Sequence, residues 1–210
     1  MKSEDIKKEP LLSGKQLCFL VGMAAYNELV YNIGRLLAKN RPHFDFSLPV
    51  DGTIPFLSWT VLIYWGCVIF WVINYSIGVK YDKGSGHRFL AAHLIGETVC
   101  FLLFVFCPTI MNRPVVTGSS LWDQVVKLTY HFDSADNLFP SIHCFVSWLC
   151  WIAVRKHPKI PSWYQWVSLL LAALVCVSTL TVKQHVIVDV FSGVLLAEAS
   201  YLAAGLFHKG

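Results

Sequence analysis

The sequence predicts an all-α protein: a six-helix transmembrane bundle with both termini cytoplasmic. Three observations predict it. The 210 residues are 55% hydrophobic and only 14% charged, the mean hydropathy is +0.54, and the apolar residues fall in long continuous runs. A hydrocarbon core about 30 Å thick requires roughly 20 such residues per helical span. A spanning β-strand would alternate and need only about ten, so the runs favour helices. The same composition excludes a soluble nucleotide-binding domain, and a net charge of +4 dispersed over the loops is too small for a nucleic-acid footprint.

Residues 1–16 are polar, carry Lys2, Lys7, Lys8 and Lys15, and lack a cleavage-site pattern behind them. They read as a cytoplasmic N-terminal tail, not a signal peptide. Residues 17–210 read as one six-span membrane domain. Its first span, 17–38, is the weakest because Asn27, Glu28 and Arg35 interrupt it. Spans at 53–78 and 89–109 follow, and Lys83-Gly84-Ser85-Gly86 between them reads as a short turn because it lacks the phosphate-loop pattern. A long outer loop covers 110–137. Spans at 138–154, 163–182 and 186–207 complete six, the last two joined by a tight connection around Lys183.

Orientation follows from counting cations on alternate sides. One side collects eleven Lys and Arg residues and the other six, so the richer side, with both termini, is cytoplasmic. Trp163, Tyr164 and Trp166 suit an aromatic anchor at the inner interface. The seven cysteines are odd in number, lie in apolar segments and form no C-x-x-C pair. They read as small buried hydrophobes, not as disulfides or zinc ligands.

Two segments carry chemistry. Phe139-Pro140-Ser141-Ile142-His143 opens the fourth span. Proline suits the first turn of a helix, which places Ser141 and His143 where free backbone N–H groups and the positive dipole end attract an anion. His185-Val186-Ile187-Val188-Asp189 opens the sixth span, and four-residue spacing sets imidazole and carboxylate on one helical face. Asp189 can then accept from one ring nitrogen and leave the other as nucleophile or base. For either segment alone, a structural hydrogen bond is the competing reading. The topology brings both helix starts to the outer interface, with Arg113 and Lys183 nearby. Two histidines, a carboxylate and two cations there suit phosphoryl transfer, in which positioning and charge neutralisation supply most of the catalysis.

These residues resemble the motifs of the type 2 phosphatidic acid phosphatase superfamily: K-x6-R-P, P-S-G-H and S-R-x5-H-x3-D. Pro140-Ser141-Ile142-His143 matches the second except at glycine, and Ser178-Thr179 through His185 to Asp189 matches the third except at its arginine. Arg113-Pro114 keeps half of the first, with Phe106 in the lysine position. The resemblance covers roughly the last four spans. It implies that His185 attacks phosphorus, Asp189 orients it, His143 protonates the leaving alcohol, and Ser141 and Arg113 hold phosphate oxygens. Lys183 is the candidate substitute for the missing arginine.

The expected function is therefore an integral membrane phosphatase acting on a lipid phosphate or pyrophosphate at the outer face of the cell membrane, without cofactor or metal. Sphingolipid head-group transferases are relatives of the superfamily, so transfer to a lipid alcohol stands beside hydrolysis. A non-catalytic carrier with an anion site is the third reading. Two histidines and a carboxylate could instead bind zinc. Arg41-Pro42 reads as an interfacial pair, while His93, Glu97, Glu198 and Glu28 read as buried hydrogen-bond partners remote from the site. Nothing in the sequence specifies an oligomeric state.

Overall fold

The structure, a computed structural model, describes residues 13–80 and 85–206. The N-terminal tail up to residue 12 and the expected turn at Lys83-Gly84 lie outside the described residues. Seven α-helices are described: α1 Gly14–Ala38, α2 Val61–Lys80, α3 Ser85–Phe106, α4 Leu121–Phe132, α5 Ile142–Val154, α6 Ser162–Thr181 and α7 Ile187–Leu206. Four of them, α2, α3, α6 and α7, are long and apolar enough to cross a membrane. The other two expected spans differ for physical reasons. Asn27, Glu28 and Arg35 dilute the apolar character of α1, and α5 has 13 residues, about 20 Å at 1.5 Å per residue.

α5 is the central helix, packed against α2, α3, α6 and α7. Nine of its residues are buried, including Phe145, Leu149 and Cys150, so its apolar surface meets protein on every side. α1 lies chiefly along α3, and α3 along α7. On the outer helices, large apolar side chains such as Ile69, Leu170 and Leu195 stay exposed, as lipid-facing residues do.

Helix starts are set by local chemistry. α1 begins three residues earlier than expected because Ser13 and Gln16 form a reciprocal capping box. The loop expected over 110–137 contains α4, which Ser120 and Asp123 start in the same way. α4 turns Val126 and Thr129 into the protein and Leu121 and Leu128 outward, the pattern of a helix lying across the end of the bundle.

The segments at that end are tied to one another. Phe44 pairs with Thr109, and Ile110 with Asp136, as isolated bridges. The Leu57 N–H donates to the Thr181 carbonyl at 2.9 Å, and Tyr130 OH donates to the Val182 carbonyl at 2.7 Å. These ties hold the loop before α2, the α3–α5 connection and the α6–α7 turn in one layer.

Candidate active site

Ser141 caps α5, its Oγ accepting the Cys144 N–H at 3.3 Å. Its own N–H donates to the Asp189 carbonyl at 3.1 Å. A Cβ on Gly193 would lie 2.5 Å from the Ser141 carbonyl oxygen, so α5 and α7 approach this closely because residue 193 has no side chain. His143, one residue into α5, thereby faces the start of α7.

His185 is positioned by the end of α6. Lys183 takes a left-handed φ of 56°, and the N–H groups of Gln184 and His185 both turn back to the Thr179 carbonyl, at 2.9 and 3.2 Å. Thr179 is fully buried and organises the turn through its carbonyl. Asp189 Oδ2 accepts the Val186 N–H at 3.0 Å and lies 3.4 Å from His185 Nδ1. This is an ion-pair contact, not a completed hydrogen bond, since Nδ1 and Asp189 Oδ1 have no hydrogen-bond partner. Burial, the largest effect on His185, disfavours its charged form, yet Asp189 beside it reverses the balance and holds the imidazole above the ordinary histidine value.

The His143 and His185 ring centroids are 6.1 Å apart. Both rings line one cavity. The His143 ring stacks on Tyr64, with centroids 4.4 Å apart, and lies 5.5 Å from Trp71.

Asp133 completes the site, and sequence reasoning missed it. It follows α4, and its two oxygens accept from Tyr31 OH and Tyr64 OH, each at 2.7 Å. Burial, the largest effect, opposes its charge. His143, the two phenols and Arg113 outweigh that and hold the carboxyl below the usual carboxylate range. The three residues come from α1, α2 and the α4 terminus, so no spacing in the chain signals them.

The cations are already engaged. Arg113 donates to the Asp133 and Ser134 carbonyls at 2.5 and 3.0 Å and to Gln184 Oε1, with its guanidinium 4.8 Å over the Tyr130 ring. Lys183 Nζ donates to the Asp51 and Ile54 carbonyls at 3.0 and 2.6 Å. The Asp51 carboxylate in turn accepts the Ile187 N–H at 2.8 Å, capping α7 from a loop more than 130 residues away in the chain. Sequence reasoning missed Asp51 as well.

His185 lines two cavities. One, of about 510 Å³, is polar and includes Arg113, Lys183 and Asp51. The other, of about 300 Å³, includes His143, Asp133, Tyr64 and Trp71. Ser141 lines neither, being 0% exposed behind the histidines. Phe106, in the lysine position of the first motif, is exposed, with Arg41 5.5 Å over its ring. Among the described residues, no group of three or more His, Cys, Asp and Glu is placed to hold a metal ion.

The remaining polar residues have separate partners. His93 Nδ1 pairs with Tyr75 OH at 2.8 Å, Glu97 accepts from Asn27 at 2.8 Å, and Glu198 receives a two-pronged contact from Arg155 at 2.6 and 2.7 Å. Glu28 departs from expectation: it is exposed, not buried.

Compared with known families, with curated proteins and with solved structures, the chain matches none.

Proposed function

We propose that this protein is an integral membrane phosphatase that hydrolyses a lipid phosphate or pyrophosphate through a phosphohistidine on His185. The single observation that carries the proposal is the facing of His143 and His185 at 6.1 Å, with Asp189 behind Nδ1 of His185. Nδ1 is turned to the carboxylate, so Nε2 is the nucleophile. Nε2 attacks phosphorus, the bond from phosphorus to the lipid oxygen breaks, and His143 gives its proton to that oxygen. Water then loses a proton to His143 and attacks phosphorus, and the phosphorus–nitrogen bond breaks. Two displacements replace one difficult step. The motif resemblance supports the same roles.

In the proposed topology α1, α2, α3, α5, α6 and α7 are the six spans, both termini are cytoplasmic, and the histidines face the extracytoplasmic side of the cell membrane. The charge asymmetry supports it. In a cysteine-free variant, an impermeant thiol reagent applied to intact cells labels Gly118→Cys and spares Ser3→Cys; the reverse pattern would invert the orientation.

Phosphate release from a micellar lipid phosphate tests the activity. Wild type turns over and forms an acid-labile, base-stable labelled protein, and His185→Ala does neither. Full activity in His185→Ala would exclude the mechanism. A chelator leaves turnover unchanged, because the cations of the site belong to the protein. A second reading, transfer to a lipid alcohol, draws on one observation: His185 lines an aromatic-walled cavity as well as a polar one, so an acceptor can approach from the membrane side. Product analysis with added lipid alcohol separates the two.

A further inference from the structure

The cavity that holds both histidines continues away from them. Asn27, Glu28, Val68 and Trp71 line it and also a deeper cavity of about 270 Å³. The deeper part is walled by Leu20, Met23 and Ala24 of α1 and by Val72 and Tyr75 of α2. On each helix these residues recur at spacings of three and four, so each wall is one helical face. α1 leans on α3 far more than on α2, which leaves the two faces as the sides of a groove. From Tyr31 to Leu20 the groove follows eleven residues of α1, about 16 Å at 1.5 Å per residue. That matches one leaflet of a hydrocarbon core about 30 Å thick.

Glu28 stands at the junction of the apolar groove and the reaction cavity. Its side chain is exposed and, among the described residues, accepts only a long 3.3 Å contact from Asn32 Nδ2. An ionisable side chain at this depth is costly unless it meets a polar partner. An ionised carboxylate accepts hydrogen bonds and cannot donate them. The ester oxygens of a diacylglycerol backbone are also acceptors, so the two repel. An amide N–H or a free hydroxyl beside the phosphate complements Glu28.

Resting on the phosphatase reading of His185, we propose that the groove between α1 and α2 holds the hydrocarbon tail of the substrate. Glu28 selects lipids that carry hydrogen-bond donors, an amide N–H or a hydroxyl, next to the phosphate. The substrate class is thus ceramide-like phosphates in preference to diacyl phosphates.

Two probes of matched chain length, ceramide phosphate and diacyl phosphatidate, test this in mixed micelles. Wild type favours ceramide phosphate by about tenfold or more in kcat/KM, the value of one hydrogen bond to a charged group. Glu28→Gln brings the ratio to within about twofold, losing activity on ceramide phosphate and gaining it on phosphatidate, whose ester oxygens no longer meet a carboxylate. Ala24→Phe, which fills the groove, raises KM for both lipids by about tenfold and leaves a soluble aryl phosphate unaffected. An unchanged ratio in Glu28→Gln, or unchanged KM in Ala24→Phe, would overturn the proposal.

Binding is read independently of turnover. In His185→Ala, a ceramide phosphate with a photoreactive tail labels α1 and α2 near Leu20 and Val72, and unlabelled ceramide phosphate competes better than phosphatidate. Labelling there without wild-type turnover removes the phosphatase reading and leaves the groove. Turnover with labelling on α6 and α7 removes the groove and leaves the phosphatase reading.

Discussion

Lys183 Nζ donates a 2.6 Å hydrogen bond to the Ile54 carbonyl, joining the turn before His185 to the loop that precedes α2. A second bond goes to the Asp51 carbonyl at 3.0 Å. An ammonium group has three donors, so one stays available for a phosphate oxygen in the polar cavity that Lys183 shares with His185. The residue anchors the turn, and in the proposed mechanism it also supplies charge.

Lys183→Ala is therefore expected to cost about 3 to 4 kcal/mol of transition-state stabilisation, a hundredfold to a thousandfold in rate. Lys127→Ala serves as the contrast. Its ammonium reaches the Gly118 carbonyl on an exposed face, and a surface charge of that kind changes turnover less than about threefold. The comparison is made on one micellar lipid phosphate at matched expression and thermal stability. Near-native rates for both variants would leave Arg113 as the sole cation of the site.

The pH dependence follows from the raised pKa of His185. In the proposed mechanism the nucleophile works as neutral imidazole, so kcat/KM is expected to rise with pH through a value above the ordinary 6.5 or so. Asp189→Asn moves this limb to lower pH and lowers the plateau by up to about 10⁴-fold. Stability changes in the opposite sense. A histidine whose folded pKa is raised contributes stability that is fully present below its unfolded pKa and is lost as pH rises through the folded one. The melting-temperature gap between wild type and Asp189→Asn is accordingly widest in mild acid and narrows above the folded pKa. A limb that does not move in the variant would detach Asp189 from His185.

Asp133→Asn keeps shape and removes charge. Tyr64 links this carboxylate to the ring of His143, so in the proposed mechanism Asp133 positions the acid. Turnover of a lipid alkyl phosphate, whose leaving group requires a proton, falls about 10- to 100-fold, whereas an aryl phosphate with a good leaving group loses less than about threefold. Equal losses on both substrates would assign Asp133 a purely structural role.

Gly193→Ala tests the close approach of α5 and α7. Its Cβ would meet the Ser141 carbonyl oxygen at 2.5 Å and Cys144 Cβ at 3.0 Å, and overpacking of that kind costs about 1 to 3 kcal/mol. Gly66→Ala in α2 meets nothing within 4 Å and gains up to about 1 kcal/mol of helix propensity. Thermal unfolding in one detergent should move in opposite directions for the two variants. A Gly193→Ala protein as stable as wild type would show that the helices have room to separate.

Features governed by local geometry are legible in the chain. Apolar runs located the helices, and the four-residue spacing of His185 and Asp189 set both on one face of a turn because an α-helix repeats every 3.6 residues. Pro140 and Ser141 likewise marked the start of α5 and put His143 in its first turn. α4 was written in the chain too, as a capping box followed by an amphipathic stretch, but a 12-residue helix is too short to show as an apolar run. Tertiary packing alone decided the rest. Asp133 enters the site because α1 and α2 bring Tyr31 and Tyr64 to it, Asp51 reaches α7 across the outer layer, and Glu28 faces a groove because α1 leans on α3. Each of these contacts joins residues far apart in the chain, and their meeting depends on how whole helices pack, which no spacing between neighbours in the sequence records.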